Sequence, residues 1–305
     1  MRDRLLLGPV LIALLIGGLA LDQWLGTKTL PEWARVGSLT TYPRGTVIFI
    51  MMGLVSLVAS RELAAILAAN NVLASKRVTT FAALVGLTVS CVVPAGLGAL
   101  DAVASVGTAG AVVLAVALTF YSRHRSVEGV VAGTGGALLS FVYLGLMFGF
   151  LLAIRRENSA WVLLWLLLVT KACDIGAYFT GKAIGRHKLI PWLSPGKTWE
   201  GLFGGMALSA VVSWGGLWAL HRLTGYGLPG IGWALLPGLL FAVVGQAGDL
   251  LESMFKRDAG LKDSGAWVPG FGGVLDIIDS PLLVAPVGYW VLRLYEEAGL
   301  MTGPT

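Results

Sequence analysis

Nine apolar segments run along this chain, and their lengths decide what it can become. Lipid offers no hydrogen-bond partner to a bare backbone, so a spanning segment must be a helix of about 20 residues or part of a closed barrel. The segments fall near 5–21, 46–60, 79–97, 102–121, 130–153, 160–180, 201–220, 231–254 and 274–296. The chain is 56% hydrophobic and only 13% charged, with a mean hydropathy of +0.80. A soluble domain carries about 25% charge, so a soluble fold is excluded. The expectation is an all-α polytopic membrane protein with about nine transmembrane helices. Its 42 glycines suit close helix packing in lipid. The first segment follows Arg2-Asp3-Arg4 like a signal peptide, but no small-x-small cleavage site follows, so it reads as a span. Residues 61–78 read as a helix leaving the membrane, capped by Lys76 and Arg77. Cys91 and Cys173 sit in apolar segments at a spacing that fits neither a metal site nor a disulfide framework.

Against this background, the stretch from Gly248 to Ser280 stands out. It holds nine of the chain's 39 Asp, Glu, Lys and Arg residues in 33 positions: Asp249, Glu252, Lys256, Arg257, Asp258, Lys262, Asp263, Asp276 and Asp279. On a helix continuing through Lys256, the residues Asp249, Ser253 and Lys256 share a face. Asp276 and Asp279 share another if a helix starts near Gly273. Between the groups, Pro269-Gly270-Phe271-Gly272-Gly273 can turn sharply and let backbone approach a ligand. Carboxylates suit a hard cation such as Mg²⁺, and Lys and Arg suit phosphates. Together they suggest metal-assisted phosphoryl or nucleotidyl transfer.

A second polar cluster closes the sixth segment and opens the seventh. Lys171 and Asp174 lie within an apolar span, where an ionisable residue is costly and a functional candidate; a plain intrahelical ion pair is the alternative. After the basic loop Lys182, Arg186 and Lys188 comes Ser194-Pro195-Gly196-Lys197-Thr198-Trp199-Glu200-Gly201. The positive-inside bias explains the loop's cations but not this run of Ser, Lys, Thr and Glu at a helix start, where exposed N–H groups favour anions. It is not a Walker loop. Glu62 beside Arg61 reads equally as a local pair or a site residue.

Lys and Arg in the loops give orientation. Fourteen lie on the side of the N-terminus, the 181–200 loop and the 256–273 loop, against seven on the other, which makes the first side cytosolic.

These residues resemble the phosphatidate cytidylyltransferases, or CDP-diacylglycerol synthases. In the family's C-terminal signature, Ser253, Lys256, Arg257, Lys262, Asp263, Gly265, Pro269, Gly272, Gly273, Asp276 and Asp279 fall in place. An upstream pattern matches Asp174, Ala177, Tyr178, Gly181 and Ser194 to Gly201. The likeness covers residues 160–290 by motif and the earlier spans by hydropathy alone. Two positions depart from it: the family His is Phe271 here, and the Arg between the two aspartates is Ile277.

The resemblance implies cytidylyl transfer from CTP to phosphatidic acid, giving CDP-diacylglycerol and pyrophosphate in phospholipid biosynthesis. It implies Mg²⁺ on Asp249, Asp276 and Asp279, with a second cation as an option. Lys256 completes the expected catalytic set. Asp174, Ser194, Lys197, Thr198, Glu200, Ser253, Arg257, Lys262 and Asp263 are expected to bind or orient phosphates. The partners implied are CTP, phosphatidic acid and membrane lipids, without nucleic acid, and a homodimer stays open. The protein is placed in the cell membrane with its site facing the cytosol. Residues 1–158 are expected to be a scaffold and 159–305 the catalytic region. Three other readings compete. An inactive or altered-substrate homologue follows from Phe271 and Ile277. A CDP-alcohol phosphotransferase lacks its Asp-Gly-x-x-Ala-Arg motif here. A transporter finds little support in charges collected at one face and in the lack of repeated halves.

Overall fold

The computed structural model describes residues 2–35, 40–92, 98–123, 127–268, 270 and 272–301. Pro269 and Phe271 lie outside the described residues. Among the described residues, nine long helices carry the chain: α1 (Arg2–Leu25), α2 (Thr46–Ala69), α3 (Lys76–Val92), α4 (Ala99–Ser122), α5 (Val130–Glu157), α6 (Ala160–Ile184), α7 (Trp199–Thr224), α8 (Ile231–Asp258) and α9 (Leu275–Glu297). Eight of them are long and apolar enough to cross a membrane, and α3, at 17 residues, is just shorter. The protein is an all-α polytopic membrane protein. Its apolar side chains point outward as lipid-facing ones do: Leu14, Leu54, Val103 and Phe203 are all exposed.

The chain divides into two compact units. One comprises Met1–Arg156 and Phe255–Ile277, the other Glu157–Met254 and Ile278–Thr305. Helices α8 and α9 each contribute to both.

In the first unit, α3, α4 and α5 share a core of Val78, Ala82, Val113, Ala117, Tyr121, Ala137 and Phe141. Helix α5 widens into a π turn over Phe141–Leu146. A Cβ on Gly86 of α3 would lie 2.6 Å from the Phe141 carbonyl oxygen and 2.9 Å from the Gly145 Cα. Only paired glycines allow that approach. Asp22 of α1 is buried. It accepts from the amides of Gly45 (3.0 Å) and Val47 (2.8 Å) at the start of α2, and from Arg155 Nε of α5 at 2.6 Å. A carboxylate so paired caps one helix and fixes two others.

The expected helix over 61–78 is not one element. Helix α2 ends at Ala69, Asn71 takes a left-handed φ of +58°, and Lys76 and Arg77 open α3 instead of closing α2. Asparagine is among the few residues that accept that conformation, so Asn70-Asn71 breaks the helix.

In the second unit, α6 and α7 pack through small residues. A Cβ on Gly176 would lie 2.8 Å from the Gly204 carbonyl oxygen, and one on Gly205 would lie 2.8 Å from that of Cys173. Between these helices the chain forms a short antiparallel hairpin, β1 (Lys188–Ile190) with β2 (Ser194–Thr198).

Candidate active site

The second unit gathers carboxylates and ammonium groups from four elements. Asp249 and Glu252 are three residues apart on α8, so they share a face. Asp279 stands in the first turns of α9. One oxygen from each of Asp249, Glu252 and Asp279 lies within 4.8 Å of the others. The two helices meet closely here because Gly248 has no side chain: a Cβ there would lie 2.7 Å from the Asp279 carbonyl oxygen. Lys197, on β2, reaches Asp249 at 2.5 Å. Lys171, on α6, reaches Asp174 at 3.2 Å and Asp279 at 3.9 Å. Asp279 also accepts from the Ser280 amide at 2.6 Å. Glu252 and Asp279 are buried, and Asp249 is half-buried. Three crowded carboxylates repel one another and lose hydration, so the arrangement needs cations. Lys197 offsets charge on Asp249 and Lys171 offsets charge on Asp174 and Asp279, and the three carboxylate oxygens converge at a spacing that suits a cation.

The first unit organises a different carboxylate. Asp276 accepts from Lys256 Nζ at 2.5 Å, from the amides of Ser264 (3.0 Å) and Gly273 (2.7 Å), and from Ser264 Oγ at 2.9 Å. Glu62, buried on α2, accepts from the amides of Val274 (3.0 Å) and Leu275 (2.8 Å) and from Ser264 Oγ at 3.3 Å. These amides begin α9 and have no acceptor within their own helix, so Glu62 caps α9 across more than 200 residues of sequence. Gly272 holds a φ of +95°, which only glycine adopts without strain.

The remaining expected residues divide by what they touch. Thr198 is the N-cap of α7, its hydroxyl accepting from the Gly201 amide at 3.1 Å. Glu200 accepts from the Arg186 and His187 amides and from His187 Nδ1 at 2.6 Å, pinning the start of the hairpin to α7. Ser194 begins β2 and Ser253 lies on α8, both half-buried. Arg257, Lys262 and Asp263 are exposed, Arg257 donating to the Leu261 carbonyl at 3.4 Å. Ile277 is half-buried on α9.

Sequence reasoning passed over Glu252 and undervalued Glu62. The i, i+3 spacing of Asp249 and Glu252 was a usable signal. For Glu62 nothing local points to a cap on a helix 212 residues on.

Fold and site together define a polytopic helical membrane protein whose carboxylates and lysines converge on α6, β2, α8 and α9. The model of the cytidylyltransferase family matches residues 34–295, and the chain belongs to that family. Among its relatives is a phosphatidate cytidylyltransferase of Helicobacter pylori, 36% identical over 197 residues that cover 63% of this chain and 68% of that protein. The enzyme of the same name from Bacillus subtilis is 38% identical over 53% of this chain and 59% of its own length. That from Staphylococcus aureus is 40% identical over 49% and 55%. The chain thus spans a little over half the length of the latter two.

Proposed function

We propose that this protein transfers the cytidylyl group of CTP to phosphatidic acid. A lipid phosphate oxygen attacks the α-phosphorus of CTP, the bond from that phosphorus to the bridging oxygen breaks, and pyrophosphate leaves with the electron pair. The product is CDP-diacylglycerol. The observation that carries this reading is the convergence of Asp249, Glu252 and Asp279 beside Lys171 and Lys197 in a member of this family.

The donor set fits Mg²⁺: three carboxylates, hard oxygen ligands, whose oxygens lie within 4.8 Å of one another. Asp249, Glu252 and Asp279 would hold it. When bound, Mg²⁺ supplies charge neutralisation on the triphosphate and helps orient it. Lys197 is paired to Asp249 through a flexible stem on a hairpin, so it can pass to a phosphate oxygen when CTP enters. Lys171 is suited to the same task from α6. No covalent intermediate is needed. The residues act by positioning and by neutralising charge. Asp276, expected as a ligand, has a different role in this reading. With four donors already on it, it fixes Lys256 and the glycine turn. The basic excess in the loops supports a site open to cytosolic CTP.

The test is turnover by the purified protein in phosphatidylcholine nanodiscs carrying phosphatidic acid, with α-labelled CTP. Label should pass to lipid only when phosphatidic acid and Mg²⁺ are both present, with pyrophosphate released in equal amount. Label passing to another acceptor, or no transfer at all, would overturn the reading.

A further inference from the structure

A cavity of about 750 Å³ opens in the first unit, and its chemistry is unlike that of the carboxylate cluster. Arg61 of α2 and Lys76 and Arg77 of α3 line it, with Phe81, Leu84 and Trp267 as apolar wall. All three cations are exposed, and among the described residues none of them is held by a carboxylate. The lining has one acid, Glu62, whose oxygens are already engaged by Ser264, Val274 and Leu275. The cavity therefore carries an uncompensated positive charge.

The placement of Lys76 and Arg77 sharpens this. They stand in the first turn of α3, at the positive end of the helix dipole, where cations are disfavoured. An anion bound beside them would reverse that penalty, since helix N-termini and basic side chains both attract phosphate. The positive-inside bias accounts for basic residues in a loop, but not for three around one cavity without counter-charges. The wall argues for a lipid. Phe81 and Leu84 lie a turn or two along α3 from the cations, and Trp267 is an exposed amphipathic side chain of the kind found at bilayer interfaces.

We propose that this cavity binds the phosphate monoester headgroup of a membrane lipid. Arg61, Lys76 and Arg77 contact the phosphate, and Phe81, Leu84 and Trp267 flank the glyceryl esters and first acyl carbons. The choice of phosphatidic acid as that lipid rests on the reaction proposed above; the binding itself rests on the cavity's own residues. A triphosphate or a free phosphate offers the same charge but nothing for the apolar wall.

Two measurements test it. Native mass spectrometry of the full chain, titrated with phosphatidic acid, phosphatidylcholine, CTP or inorganic phosphate, reads binding without turnover. Arg61→Gln and Arg77→Gln should each weaken phosphatidic acid about tenfold, as loss of a charge-assisted contact does. Phosphatidylcholine and CTP should bind as before, and Arg77→Lys should keep most of the affinity. In turnover, the same variants should raise the apparent KM for phosphatidic acid and leave that for CTP in place. Unchanged phosphatidic acid binding in both Gln variants would overturn the proposal. So would a loss confined to CTP, or inorganic phosphate displacing the lipid at equal concentration, since either marks a site for soluble phosphates. If the Gln variants fail to fold, Arg77→Lys and inorganic phosphate competition on the wild-type chain decide. A chain that binds phosphatidic acid through these residues but never turns over CTP would contradict the proposed reaction and leave the lipid site standing.

Discussion

Asp276 and Glu62 show how much one side chain can organise. Between them they take four backbone amides and the Ser264 hydroxyl, and Asp276 also takes Lys256. The gain from each bond is modest, but leaving a buried amide without its acceptor costs about 1–3 kcal/mol. Glu62→Ala would strip the Val274 and Leu275 amides together. We expect a lower melting temperature and slower cytidylyl transfer, with Glu62→Gln milder in both because its carbonyl oxygen can still accept. A Glu62→Ala protein as stable and active as wild type, by thermal denaturation and CTP turnover, would show that α9 starts without this cap. Ile277 teaches a narrower lesson: between two aspartates this chain has an apolar side chain, half-buried on α9. Its apolar character is plain in the sequence, but Phe271 lies outside the described residues.

Helices α8 and α9 bring Asp249, Glu252 and Asp279 together because glycine lets them touch. A Cβ on Gly248 would sit 2.7 Å from the Asp279 carbonyl oxygen, nearer than any side chain tolerates. Gly248→Ala must push the helices apart and separate Asp249 and Glu252 from Asp279. A displacement near 1 Å at reacting groups costs about a hundredfold in rate. We expect a loss of that order in kcat, with the protein still inserted and monodisperse; a Gly248→Ala protein of normal kcat would show that the contact does not set the carboxylate spacing. The elements themselves were largely legible. Hydropathy marks the apolar helices because burial in lipid leaves so few alternatives. Most helices run a few residues past their apolar segments, since a helix continues into the polar interface where hydropathy fades. The α2–α3 break was not legible: propensity continues through Ala68 and Ala69, and only the paired asparagines stop it. The β1–β2 hairpin was missed as well, being too short and polar to show a two-residue period.

On the scale of the whole molecule, the structure brings some of the expected residues together and leaves others apart. Asp249 and Asp279 belong to one cluster, and Lys197 joins them from a loop that the sequence singled out. Glu252 was hidden by its surroundings. A carboxylate flanked by Leu251 and Ser253 looks like one more charge in a charged stretch until the helix is built. The family match over residues 34–295 carries the chain's membership, and the geometry adds which carboxylates meet. The proposal that stands on this geometry is that Asp249, Glu252 and Asp279 hold a divalent cation on which cytidylyl transfer depends. The direct measurement is the Mg²⁺ dependence of the initial rate for wild type and for Glu252→Gln, at saturating CTP and phosphatidic acid. The substitution removes one charge and keeps the shape. The account predicts that half-maximal rate will need about tenfold more Mg²⁺ in the variant, or that turnover is lost at any concentration. A Glu252→Gln protein with the wild-type Mg²⁺ curve and the wild-type maximal rate would contradict it.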